Sequence, residues 1–75
     1  MSQTLFSQKT LIDMEWASIR TKREQLLSAT DWTQMADSPL SIDKKSEFAA
    51  YRKALRDLPQ KESDPFTLIW PEKPA

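Results

Sequence analysis

The chain has 75 residues, 39% of them hydrophobic and 29% charged, with eleven basic residues balanced by eleven acidic ones. That is the composition of one ordinary folded domain, and zero net charge argues against nucleic acid as a partner, since such binders carry a basic excess. Cysteine, histidine and glycine are all absent, which excludes a disulfide framework, a thiolate zinc site, an imidazole base or ligand, and a glycine loop for phosphate.

Residues 1–10 (MSQTLFSQKT) are polar and irregular, and read as a flexible N-terminal arm. They lack the basic and apolar regions of a secretory signal. Nowhere does the chain approach the roughly 20 consecutive apolar residues of a membrane span. The expectation is no membrane partner and a cytoplasmic location.

Residues 11–29 read as a helix. Ile12, Trp16, Ile19, Arg23, Leu26 and Leu27 recur near one face at steps of three and four. Thr10 is placed to cap it, with Asp13 three residues on. Residues 30–41 (TDWTQMADSPLS) read as a connection, because Asp, Ser, Thr and Pro are turn formers and Ser38 precedes a proline. Its apolar residues, Trp32, Met35 and Leu40, should pin it to the helices.

Residues 42–58 read as a second helix. Phe48, Tyr51, Leu55 and Leu58 follow at steps of three, four and three, with Ala50 and Ala54 thickening the stripe. Ser41 is a suitable N-cap, Asp43 suits the first turn, and Arg52 and Arg56 suit the C-terminal half. Pro59 is expected to stop the helix.

Residues 60–75 contain three prolines around FTLIW, which suits a short strand or an extended strap. A lone strand lacks a partner, so the strap is preferred. It would lay Phe66, Ile69 and Trp70 on the helices or on another protein. The fold class is therefore all-α: an antiparallel two-helix hairpin over residues 11–59 with an extended Pro-rich strap over 60–75. Two helices without a disulfide or metal need a third layer. The strap, a second copy in a homo-oligomer, or a client would supply it.

Candidate chemistry is sparse. The carboxylate pairs Asp13 with Glu15 and Asp43 with Glu47 read as solvated helix surface, and no catalytic residue, cofactor or metal ligand set stands out. The expectation is a protein that is not an enzyme. Arg52 and Arg56, four apart beside Tyr51, form a cationic edge that would clamp a carboxylate on a client. The commoner fate is an ion pair within the hairpin, to Asp57 or Asp31. Trp16 and Trp32 suit the core, whereas Trp70 suits core and interface equally. The candidate partner-binding residues are Tyr51, Arg52, Leu55, Arg56, Phe66, Ile69, Trp70 and Pro71.

One ordered series of motifs is distinctive. IRTKR at 19–23 is followed by LL at 26–27, TDWTQ at 30–34, DSPL at 37–40, AAYRKALRDLP at 49–59 and WPEKP at 70–74. The series resembles the phage tail assembly chaperone family, over nearly all of the chain after Trp16. The resemblance implies a protein that binds a tail or tail-fibre protein in the host cytoplasm and assists its folding, oligomerisation or attachment. The alternative it leaves open is a small subunit retained in the virion on the fibre or baseplate. It brings no catalytic residues and no cofactor.

Overall fold

The computed structural model describes residues 8–61 and 64–75. Helix α1 spans Gln8–Thr30, a one-turn 3-10 helix spans Asp31–Gln34, and helix α2 spans Ile42–Lys61. The two α-helices pack against each other and both contact the 3-10 turn, so the chain forms the expected helical hairpin. No strand occurs among the described residues.

Helix α1 begins three residues earlier than the sequence suggests. Thr10 therefore lies inside the helix and does not cap it, and no acidic residue falls in the first turn. Residues 1–7 of the expected arm lie outside the described residues. Helix α2 starts as expected. The Lys44 amide donates to Ser41 Oγ at 3.0 Å and the Lys45 amide to the Ser41 carbonyl at 2.9 Å, the bonds of an N-cap residue. Its end is a correction: α2 runs through Pro59 to Lys61. A proline φ is compatible with helix, and this one falls in the last turn. The backbone loses one hydrogen bond there and the helix continues for two residues.

The core is small. The molecule measures 60 × 18 × 18 Å, and its section is about two helices wide. The buried hydrophobic residues are Ile19, Phe48, Tyr51, Leu55 and Leu58. Four of these five come from α2, at the predicted steps of three, four and three. From α1, Leu26 and Leu27 pack half-buried against them. Trp16 is half-buried, and Ala50, expected to thicken the stripe, is exposed because it falls off the inward face.

The C-terminal segment supplies a third layer. Leu68 and Trp70 pack against the α2 cluster. The segment turns at Asp64, whose side chain accepts from the Phe66 amide at 2.9 Å and whose carbonyl accepts from the Thr67 amide at 3.3 Å. Pro65 is buried at this turn. The extended chain then runs back until Lys44 Nζ meets the main-chain oxygen of Ala75 at 2.8 Å.

Candidate partner-binding surface

Arg52 ties the two helices together at the end of α1. The last four carbonyls of a helix have no partner within it, and α1 carries no basic residue in its last turn to meet them. Arg52 reaches across from α2 and fills that role. Its Nη1 donates to the Leu27 carbonyl at 2.6 Å and to Thr30 Oγ1 at 2.8 Å, and its Nη2 donates to Asp31 Oδ1 at 2.7 Å. The guanidinium fork thus holds the end of α1 and the carboxylate that begins the next turn. Of the two fates the sequence suggests for Arg52, the ion pair within the hairpin is the one observed.

Below the 3-10 turn the polar groups close on one another. Thr30 Oγ1 donates to the Leu26 carbonyl at 2.8 Å while accepting from Arg52. Thr33, fully buried, donates from Oγ1 to the Thr30 carbonyl at 2.6 Å. Gln34 Nε2 donates to Thr33 Oγ1 at 3.0 Å and to the Lys45 carbonyl at 3.1 Å, tying the turn to α2. No described residue has a positive φ. A connection without glycine is built here from 3-10 and extended backbone, with side chains replacing the left-handed caps that glycine usually provides.

Trp32 corrects an expectation. The sequence suggests a core position, yet the side chain is 46% exposed. The ring leans on Phe48 with centroids 6.3 Å apart and planes at 51°, so one side is braced and the other is bare. A section two helices wide has no interior deep enough to enclose an indole at its end. Met35, expected to pin the connection, and Ile42 are exposed as well, whereas Leu40 packs half-buried against the α2 cluster.

The candidate residues separate into a floor and an outer face. Tyr51 and Leu55 lie in the core, Leu55 with no exposed surface, and Arg52 is engaged with α1. Arg56 is exposed. Along the strap, Trp70 faces inward, half-buried, with Lys22 Nζ 4.5 Å from its ring centroid. Pro71 is half-buried, while Phe66 and Ile69 face solvent. Leu68, which the sequence does not single out, replaces Phe66 and Ile69 as an inward contact. An extended chain alternates its side chains, so Leu68 and Trp70 share the face that Ile69 does not.

An open trough between Ala17 and Ala29 is lined by α1 side chains alone and is surface relief of a single helix. No group of three or more His, Cys, Asp or Glu able to hold a metal occurs among the described residues. Asp43 and Glu47 do not face each other as an isolated pair: Glu47 accepts from Lys44 Nζ at 3.3 Å. No helix among them is long and apolar enough to cross a membrane.

Residues 16–75 match the protein family described as phage tail assembly chaperone protein. The chain belongs to the phage tail assembly chaperone family. The matched region begins at Trp16 and takes in the hairpin, its tip and the strap, and with them every candidate residue named above. The first turns of α1, with exposed Leu11 and Met14, precede it. No curated protein and no solved structure matches the chain. The candidate residues include those of the strap but not the exposed apolar residues of the tip. Trp32, Met35 and Ile42 show no helical or strand period, because they are spread over a turn and the start of a helix. The signal available in the sequence is Trp32, Met35 and Leu40 in a connection made mostly of polar residues, with Ile42 opening the next helix.

Proposed function

We propose that this chaperone binds a tail or tail-fibre protein in the host cytoplasm, assists its folding, oligomerisation or attachment, and leaves before the particle is complete. Family membership over most of the chain supports the coarse function. The observation that carries the finer one is the two-sided strap. Leu68 and Trp70 anchor it to the helices, and Phe66 and Ile69 are held outward. An anchored segment with bare apolar side chains offers contact area whose ordering cost is already met in the folded chain. Arg56 and Pro71 complete the client face, and Tyr51, Leu55 and Arg52 support it from beneath. The client's attachment is protein to protein, with no cofactor.

The test is co-expression with the tail and tail-fibre proteins of the same phage and affinity purification. The wild-type chain is expected to retain the fibre protein. Phe66→Ser with Ile69→Ser is expected to lose it, with far-UV circular dichroism unchanged. Full retention by the double variant refutes the strap face, and failure of the wild type to retain any tail or fibre protein refutes the function.

A further inference from the structure

The outward strap residues Phe66 and Ile69 do not account for the apolar residues of the hairpin tip, beside which the strap ends, with Ala75 at Lys44. Between Thr30 and Ile42 the chain exposes Trp32, Met35 at 55% and Ile42 at 85%. Exposure alone says little, since folded proteins carry many apolar atoms on their surface. What distinguishes these residues is the structure underneath. Arg52, Thr30, Thr33 and Gln34 form a continuous hydrogen-bonded network from Leu26 to Lys45. The Met35 amide closes on the Trp32 carbonyl at 3.3 Å, and the Ser38 amide on the Met35 carbonyl at 3.1 Å. Phe48 fixes the indole from one side. A half-bare tryptophan braced by Phe48, in a segment that exposes two further apolar side chains, has the properties of an interface anchor, because little freedom is left to lose on binding.

The charge around it selects the partner. From Glu24 to Asp43 the sequence contains acidic residues and no basic one. At the tip these are Asp31, Asp37 and Asp43. Arg52 neutralises Asp31, while Asp37 and Asp43 are exposed and have no ion pair among the described residues. Lys44 and Lys45 follow on α2, the first of them bonded to Glu47. The exposed carboxylates Asp37 and Asp43 outnumber the half-buried Lys45, and an apolar patch with that acidic excess at its rim disfavours nucleic acid and anionic lipid. It complements an apolar groove edged with lysine or arginine.

We propose that the hairpin tip is a second docking surface, made of different residues from the strap face, on which Trp32, Met35 and Ile42 enter an apolar groove of a partner protein while Asp37 and Asp43 meet basic residues at its rim. This surface involves different residues from the strap-centred function and is tested without the fibre protein.

The full chain, labelled with nitrogen-15, is titrated with two amphipathic helical peptides. Both carry the same leucine and phenylalanine face, one with a lysine rim and the other with a glutamate rim. The lysine peptide is expected to shift the Trp32 indole N–H and the Met35 and Ile42 amides, and to bind about tenfold more tightly than the glutamate peptide. Asp37→Lys with Asp43→Lys is expected to reverse that preference. Trp32→Ala is expected to weaken the lysine peptide by about 30-fold. Met35→Glu with Ile42→Glu, at positions outside the core, is expected to weaken it comparably without touching the Phe48 contact. The proposal is overturned if the lysine peptide leaves the tip resonances unmoved, or if both peptides bind equally. It is also overturned if Trp32→Ala changes the sedimentation of the chain alone, since the tip is then a contact between copies. Loss of fibre retention with the tip result intact would refute the strap function and leave this one standing.

Discussion

Replacing Arg52 with alanine removes three hydrogen bonds at one stroke. Two of them, to the Leu27 carbonyl and Thr30 Oγ1, are partly buried, and Thr30 is 2% exposed. Charge-assisted bonds of this kind are worth about 1.5 kcal/mol each or more, and their loss leaves acceptors that water reaches poorly. The third is an ion pair in which the Arg52 side chain is 14% exposed and Asp31 is 59% exposed, so solvent screens it to about 0.5 kcal/mol. The sum is about 3.5 kcal/mol. A domain of this length has about 4–11 kcal/mol of total stability. Arg52→Ala should therefore lower the melting temperature by about 15–25 °C. Arg56→Ala, on the same helix but exposed, should change stability by less than about 1 kcal/mol. Thermal and urea unfolding followed by far-UV circular dichroism measure both. Equal stability of the two variants would refute the account of Arg52 as the clasp of the hairpin. So would an Arg52→Ala protein within 1 kcal/mol of wild type at an unchanged urea slope.

Leu55→Ala creates a cavity at a fully enclosed position and should cost about 3 kcal/mol in urea unfolding. Ser41→Ala removes the bond to the Lys44 amide and should cost about 1 kcal/mol, while Ser41→Asp should be near neutral. Trp70→Ala detaches the strap from the helices and from Lys22, and should cost about 2 kcal/mol, less than a fully buried tryptophan would. Hydrogen exchange in that variant should rise at 66–75 and remain slow at 51–58.

The second helix was legible because its period and its environment agree. Phe48, Tyr51, Leu55 and Leu58 face one partner, and a 3.6-residue period reports a face directly. The first helix was legible in its middle and lost at its start, since Gln8 and Lys9 are polar and nothing in the pattern separates a helix turn without a buried face from an irregular arm. Pro59 misled for a related reason. Proline excludes itself from helix interiors, but near a C-terminus the missing amide costs one bond. The arginines show where sequence reading stops. Arg52 and Arg56 are equivalent in spacing and type, and only the crossing of the helices puts one beside the end of α1. The tip was the hardest part to read. Its aromatic residue looked like core on composition, and its exposure depends on how narrow the hairpin is at that point, a property of the packed pair rather than of either helix. Phe66 and Ile69 were legible as apolar residues of the strap, but the outward face of Ile69 depends on Leu68 and Trp70 occupying the inward one, and that of Phe66 on the turn at Asp64.

The central claim is that the protein assists assembly and then departs. Quantitative mass spectrometry on two fractions of one infected culture tests it most directly: purified particles, and tail-protein complexes isolated before maturation. The account predicts the chain in near-stoichiometric amount in the immature complexes and only in trace in the particles. A near-stoichiometric amount in the finished particle would contradict it and make the protein a structural subunit of the tail.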